Sequence, residues 1–194
     1  MKRICIIHGH PDAQRPHFCK ALGDAYANGA RDAGHSVEEI SVGALDFELL
    51  MQPADFATPP DDPILSEREK ILAADHVVII FPLWLGSMPA KLKGFFEQMA
   101  RGHFLLGDAD SSKEFPKGQM AGKSARVIVT MGMPGLAFTL YFGAHGLKAF
   151  KQGVLKLAGF KPVKHTIIGM VEAGDEARHN KLLEKVRSLG RDAV

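Results

Sequence analysis

Five short runs of strand-forming residues recur along the chain, separated for the most part by stretches with a helical pattern. Arg3–Ile7 and His76–Phe81 are apolar, rich in β-branched residues and followed closely by Gly or Pro, which is typical of fully buried parallel strands. The other runs are Ser36–Ser41, whose charges indicate a sheet edge, Ala125–Thr130 and Val163–Ile168. Because parallel strands need crossover connections, this alternation predicts an α/β fold with a doubly wound parallel sheet and helices on both faces.

The predicted helices occupy the segments between and after these runs. Apolar residues recur at helical spacing in Phe18–Ala33, and Gly34 supplies a C-terminal stop. Ser66 and Glu69 match a capping box ahead of a second helix that ends near Ala74. The remaining helices are predicted from Pro89 onward, near Phe142–Ala158 and near Asp175–Leu189.

Length and composition suit one globular domain over residues 1–194. The formal charge of +2 is too small to argue for a nucleic acid or a membrane surface as partner. Cys5 and Cys19 lack metal-binding spacing, so we expect no metal site and a reducing, cytoplasmic compartment. The N-terminus lacks the features of a signal peptide, and no apolar run approaches the roughly 18 residues of a membrane helix, so we expect no membrane insertion.

One long connection stands out between the second strand and the second helix. The segment GALDFELLMQPADFATPPDDPI, residues 43–64, is rich in proline and has no sustained period. Connections of this length are more often functional covers than spacers, so we expect this segment to cover part of the molecule.

The loop after the first strand carries candidate anion ligands. In doubly wound sheets, ligands bind beyond the carboxyl ends of the strands. His10, Arg15 and His17 stand there, ahead of a helix whose N-terminal N–H groups attract anions. A phosphate site and a solvated loop are both open interpretations. The loop has no GxGxxG or GxxxxGK[ST] motif, and Ser41 stands where a dinucleotide-binding fold has an acidic residue, which argues against a Rossmann dehydrogenase.

The loop after the third strand begins the stretch FPLWLGSMPAKLKGFFEQ, residues 81–98. In one interpretation Pro82 ends the strand, Trp84 fills the core and Gly86 makes a turn. In the other, Trp84 lines a flat aromatic ligand, and the backbone N–H groups of Leu83–Leu85 face its heteroatoms.

The loop after the fourth strand, TMGMPGLAFTLYFGAHGL, is rich in glycine and lets backbone approach a ligand closely. Its polar groups are Tyr141 and His145, and a structural and a catalytic role are both open for the histidine. Three loops rich in Gly or Pro therefore converge on one sheet edge, which favours a flat ligand.

Motifs in these loops resemble those of the flavodoxin-like NAD(P)H:quinone oxidoreductases, which include diaphorases, modulators of drug activity and ancillary reductases of potassium-efflux systems. The motifs are HGHPD, FPLWLGSMPAKLKGFFEQM, and TMGMPG with GAHG, and the similarity extends to about residue 160. The specific part is FPxxxxxxPAxLKGxFE. The resemblance implies a five-stranded sheet of order 2-1-3-4-5, noncovalently bound FMN or FAD with FMN preferred, and NAD(P)H as substrate.

The resemblance also assigns flavin contacts to residues of the three loops. It places the flavin phosphate and ribityl chain against His10, His17, Phe18 and Cys19. It places the isoalloxazine edge along Pro82, Leu83, Trp84 and Leu85, and the pyrimidine side along Thr130, Met131, Gly132 and Met133. His145 matches the family histidine that stabilises the reduced flavin. The family tyrosine has no clear match, because Phe138 and Thr139 occupy its neighbourhood, and Tyr141 is the candidate second catalytic residue.

The activity implied by the resemblance is two-electron, ping-pong hydride transfer from NAD(P)H through the flavin to a quinone or similar acceptor. A homodimer is also implied, and the aromatic run Phe95, His103, Phe104 and Phe115 is a candidate for its contact surface or for the core. One alternative is a flavin-binding redox-regulatory partner of a cation-efflux system with little turnover. Another is a flavin-free module of the same fold. A phospho-receiver is disfavoured, because no carboxylate pair ends the first strand.

Overall fold

Five parallel strands form one sheet of order β2-β1-β3-β4-β5 in the computed structural model, which describes residues 1–107, 117–173 and 175–193. The strands are β1 (Arg3–His8), β2 (Ser36–Ser41), β3 (His76–Pro82), β4 (Ser124–Thr130) and β5 (Val163–Ile168). This order and the parallel direction of all four pairings confirm the fold predicted from the sequence.

Helices connect the strands and cover both faces of the sheet. The α-helices are α1 (Phe18–Asp32), α2 (Ile64–Ala73), α3 (Ala90–Ala100), α4 (Gly135–Leu140), α5 (His145–Phe150) and α6 (Glu176–Asp192). Single turns of 3₁₀ helix cover Val42–Ala44 and Pro53–Ala57, and a π-helical segment, Lys151–Lys156, continues α5.

Alternate residues of each strand belong to two separate hydrophobic clusters, because successive strand side chains point to opposite faces. Ile4 and Ile6 of β1 pack with Leu22 and Tyr26 of α1 and with Val186 of α6. The intervening residues of the strands pack with α3 and α5 on the other face. The carboxyl ends of the strands therefore lie at one uncovered edge, where the loops after β1, β3 and β4 lie together.

Two predicted helix boundaries are wrong. Helix α2 begins at Ile64 rather than after Ser66, because the Asp62 carboxylate accepts hydrogen bonds from both the N–H and the hydroxyl of Ser66. The predicted helix Phe142–Ala158 is instead α5 with its π-helical continuation. It is preceded by the separate helix α4 and by a break at Gly143 and Ala144, which both adopt positive φ.

The proline-rich connection covers helix α3, as expected of a cover. Leu49 fills the space that the missing side chain of Gly94 leaves on that helix, at 2.5 Å from the position a Cβ would take. The Gln98 Nε2 donates to the carbonyl of Glu48, and Arg101 donates to the carbonyls of Asp55 and Thr58. The segment is thus anchored over α3 and the apolar core, while its first residue, Gly43, packs against the backbone of His10 and Pro11 in the loop after β1.

The predicted aromatic run does not form an exposed patch. Phe95 is fully buried and packs edge-on against Phe96, while Phe104 lies under the guanidinium of Arg68 at 4.6 Å. Phe115 lies outside the described residues. In the part of the run that the structure describes, Phe95 and Phe104 serve the core, whereas His103 is exposed.

Candidate functional site

The loop after β1 brings two of the predicted histidines into contact. His10 and His17 stack with their ring centroids 3.7 Å apart, and His10 meets the edge of Trp84 at 5.9 Å. His17 caps α1, because its Nδ1 accepts the N–H of Lys20 at 3.1 Å. The proton must then be on Nε2, which lies 3.0 Å from the carbonyl oxygen of Asp12. Burial, followed by the neighbouring His10, lowers the pKa of His17, so this ring stays neutral near neutral pH.

Asp12 organises the same loop. Its carboxylate accepts the N–H groups of Gln14 and Arg15 and lies 2.5 Å from the Arg15 Nε. These bonds lower the pKa of Asp12 to about 2, the Gln14 N–H contributing most. The Arg15 guanidinium, which the sequence suggested as an anion ligand, is therefore already paired with a carboxylate.

The loop after β3 is a tight turn. Trp84 and Ser87 exchange two backbone hydrogen bonds, and between them Leu85 and Gly86 have φ of 47° and 79°. Leucine rarely adopts positive φ, so the turn is held by its surroundings. Trp84 is 48% exposed rather than in the core, which contradicts the interpretation that it fills a core gap.

Hydrogen bonding corrects one detail of the flat-ligand interpretation. The N–H of Leu83 donates to the carbonyl of Thr130, and the N–H of Trp84 donates to Ser87 within the turn. Only Leu85 of the predicted trio keeps an N–H with no partner among the described residues, and the Gly86 N–H joins it. The available donors are therefore shifted toward the tip of the turn.

The loop after β4 lies against α1 and the end of β5. The Oγ1 of Thr130 lies 3.0 Å from the Sγ of buried Cys19, so these two predicted ligands touch each other. The carbonyls of Met131 and Met133 accept the N–H groups of Val171 and Met170. Met131 is buried and Met133 is partly exposed.

Glu172 is a site residue that the sequence analysis missed. Its carboxylate lies 3.9 Å from the position that a Cβ on Gly132 would take. A signal for it exists in the sequence, because Glu172 follows β5 at the same carboxyl edge as the loops after β1, β3 and β4.

His145 begins α5 and lies beside the turn after β3. The Cα of Gly146 lies so close to the turn that a Cβ there would be 2.1 Å from the carbonyl oxygen of Gly86. The imidazole folds back over Gly143, where the Nε2 is 2.5 Å from the position of a missing Cβ. Tyr141 is 84% exposed and packs against Phe142; within the described residues no hydrogen bond joins it to His145.

Unused backbone donors mark all three loops. Among the described residues, the N–H groups without a hydrogen-bond acceptor include six at this edge: those of Phe18, Cys19, Leu85, Gly86, Gly132 and Met133. The first two belong to the first turn of α1, where N–H groups and the helix dipole favour an anion. The other four adjoin Trp84 or Gly132. This donor set suits a ligand that combines a phosphate with a flat ring bearing heteroatoms.

Metal ligands and membrane spans are absent from the described ranges. Within residues 1–107, 117–173 and 175–193, no three His, Cys, Asp or Glu side chains cluster as a metal site would require. No helix in those ranges is long and apolar enough to cross a bilayer.

Comparison with known proteins agrees with the resemblance drawn from the motifs. The chain is 26% identical over 194 residues to NAD(P)H dehydrogenase [quinone] 1 of Rattus norvegicus, covering 87% of this chain and 69% of the relative. It is 30% identical over 158 residues to the FMN-dependent NADH:quinone oxidoreductase of Thiobacillus denitrificans, covering 80% and 73%.

A solved structure extends this comparison to three dimensions. A protein of Streptococcus mutans UA159 superposes with a TM-score of 0.81 at 28% identity, over 97% of this chain and 98% of that one. The family described as having a flavodoxin-like fold matches residues 2–190. This chain therefore belongs to the flavodoxin-like family.

Proposed function

We propose that the chain is a flavin-dependent NAD(P)H:quinone oxidoreductase that transfers hydride by a two-electron, ping-pong route. The observation that carries the proposal is the convergence of six unused backbone N–H donors and Trp84 at one sheet edge. The names of the relatives from Rattus norvegicus and Thiobacillus denitrificans support the same activity.

FMN is the flavin we propose, held without a covalent bond, with FAD as the alternative. The N–H groups of Phe18 and Cys19 would bind its phosphate, with His10 and His17 beside them. The turn of Pro82, Leu83, Trp84 and Leu85 would follow the ring edge, and Thr130, Met131, Gly132 and Met133 would contact the pyrimidine side. The name of the Thiobacillus denitrificans relative, which includes FMN, supports this choice.

Bound flavin would supply the hydride chemistry itself. The protein keeps the ring position fixed through the closed Trp84–Ser87 turn and offers N–H donors to developing negative charge. His145 is exposed at the start of α5, beside the turn after β3, and would stabilise negative charge on the reduced flavin. Tyr141 stays the candidate second catalytic residue, exposed one turn before it.

A homodimer is part of the proposal. Large apolar side chains are exposed around the carboxyl edge, and a second copy of this chain would cover them. They are Trp84, Leu85, Leu136, Leu140, Tyr141 and Phe142. The reduced state of both cysteines supports a cytoplasmic location.

The decisive test is the visible spectrum of the purified protein, before and after incubation with FMN or FAD. Flavin absorption bands together with oxidation of NAD(P)H by a quinone are the expected result. Absence of the bands after both incubations would refute flavin binding. Bound flavin without turnover would instead favour the redox-regulatory alternative.

His145 is tested by His145→Ala, with His165→Ala on β5 as the matched exposed control. We expect at least a tenfold loss of quinone reductase turnover for His145→Ala with unchanged flavin content, because the imidazole that would stabilise the reduced flavin is lost. Equal turnover in both variants would contradict the assignment.

A further inference from the structure

One segment of the sequence contains several cationic side chains and no carboxylate. Residues 115–171 contain eight Lys and Arg residues and no Asp or Glu. The segment includes β4, α4, α5, the π-helical segment and β5, and β4 and β5 form one edge of the sheet. A surface of one sign raises the local concentration of ligands of the opposite sign.

Lys148 is the lysine of this segment that follows His145 most closely in the sequence. It follows His145 by three residues in α5, so the two lie on one helix face about 4.5 Å apart along the axis. Both side chains are exposed, and the Lys148 N–H donates to Ala144 at the start of the helix. Because Cα–Cβ bonds tilt toward a helix N-terminus, the Lys148 side chain leaves the backbone toward the His145 end.

The start of this helix is fixed against the ligand edge. The close approach of Gly146 to Gly86 leaves no room for a Cβ, which holds the first turn of α5 beside the turn that carries Trp84. The first turn of α5, which includes exposed Lys148, therefore lies beside the proposed flavin site. The four-carbon side chain of a lysine can carry its ammonium group several ångströms from the helix backbone.

The other cations at this edge are engaged elsewhere. Arg15 pairs with Asp12, Lys20 pairs with Asp24, and Arg178 donates to the carbonyls of Gly169 and Met170. Lys91 donates to the carbonyl of Gly43. Lys148, by contrast, has neither an ion pair nor a side-chain hydrogen bond with any residue that the structure describes.

We infer that Lys148 binds a phosphate of the reducing dinucleotide when NAD(P)H approaches the flavin. The inference rests on the proposed function, and it names a residue that recognises a phosphate group of the hydride donor. Lys148 acts here as a binding residue; it does not take part in hydride transfer. NADH and NADPH share the pyrophosphate, and NADPH alone adds the 2′-phosphate, so the two donors distinguish which phosphate is bound.

The experiment uses the flavin-loaded protein and the oxidised dinucleotides NAD⁺ and NADP⁺, whose binding is measured by titration calorimetry. We expect Lys148→Gln to weaken binding about tenfold at low salt, the loss of one charge-assisted contact. Lys148→Arg retains most of the affinity, since it retains the charge. Lys156→Gln is the matched control, an exposed lysine of the same segment farther along the helical stretch, and its affinity stays within about twofold.

Each outcome decides between the alternatives. An equal loss for NAD⁺ and NADP⁺ assigns Lys148 to the pyrophosphate, and a loss confined to NADP⁺ assigns it to the 2′-phosphate. Wild-type affinity in Lys148→Gln, an equal loss in Lys156→Gln, or weakened flavin binding in Lys148→Gln overturns the inference. A wild-type protein that binds dinucleotide but does not oxidise NAD(P)H refutes the proposed function alone, because the binding comparison still reports on Lys148.

Discussion

Two segments of opposite charge lie at opposite edges of the sheet. Residues 38–69 contain nine Asp and Glu residues and one Arg, whereas residues 115–171 contain eight cations and no carboxylate. The first segment includes most of edge strand β2, and the second ends just past edge strand β5. The net charge of +2 conceals this separation.

Three charged residues of the acidic segment serve the fold. The Glu39 carboxylate contacts His8 at 2.8 Å and Arg31 at 2.8 Å, and the Asp62 carboxylate accepts two hydrogen bonds from Ser66 in the first turn of α2. The single cation, Arg68, is only 6% exposed and holds the end of α3. Each of these groups has its partners within the chain.

Four lysines of the second segment are different. Lys148, Lys156, Lys161 and Lys164 are exposed and form no ion pair with any described residue. Charges that are paired inside a fold set its stability, and charges left at the surface are available to ligands. The comparison therefore separates residues whose loss unfolds the protein from residues whose loss changes binding.

Arg68→Met gives the largest expected change. Its guanidinium donates to the carbonyls of Gln98, Met99 and Arg101, so removal leaves the buried end of α3 unsatisfied. We expect the free energy of unfolding, measured in urea, to fall by about 3 kcal/mol. Lys164→Met, an exposed control in the other segment, changes it by less than about 0.5 kcal/mol. Comparable losses of unfolding free energy in the two variants would show that charges in the two segments do not differ in their contribution to stability.

Gly146→Ala tests whether the second segment has a structural contact of its own. The new Cβ meets the Gly86 carbonyl oxygen at 2.1 Å, and backbone on both sides prevents a local adjustment. We expect a loss of about 2 kcal/mol in thermal or urea unfolding, together with weaker flavin binding. Gly153→Ala, farther along the same helical stretch, meets no atom within 4 Å and serves as control. If both glycines tolerate alanine equally, α5 is not held against the turn.

Glu39→Gln gives the smallest effect and a characteristic pH dependence. The hydrogen bond from His8, followed by that from Arg31, lowers the pKa of Glu39 to about 2. A carboxyl group whose pKa is lower in the folded state stabilises that state when the pH is above the ordinary pKa of 4.5. The stabilisation is lost as the pH falls toward the folded-state pKa of about 2. Urea unfolding should show a deficit of about 1 kcal/mol at pH 7, limited by solvent screening, that vanishes near pH 2. Exposed Glu38→Gln should show no such trend, and a deficit independent of pH would exclude this mechanism.

The sequence predicted the strands well because their physical signal is strong. Buried parallel strands such as His76–Pro82 require continuous apolar runs, and the bounds of β5 agree with the prediction at both ends. The start of α2 was less predictable because Asp62 and Ser66 are both capping residue types, and only the observed bonds decide between them.

The candidate site shows a similar division. The motifs identify the three loops and both His10 and His17, but the stacking of the two rings is visible only in the structure. They do not predict that Leu85 and Ala144 adopt positive φ, because glycine is the residue that signals such a conformation. They also miss Glu172, since its proximity to Gly132 depends on how two strand ends meet in space.

The two cysteines have a practical consequence for work with this protein. Cys5 and Cys19 are buried, and burial raises their pKa to about 12 and about 11, so neither forms the reactive thiolate at neutral pH. Neither native thiol should therefore react appreciably with a thiol label at neutral pH. A single cysteine introduced at Leu85, whose side chain projects fully into solvent, would carry a reporter at the rim of the site without removal of either native thiol.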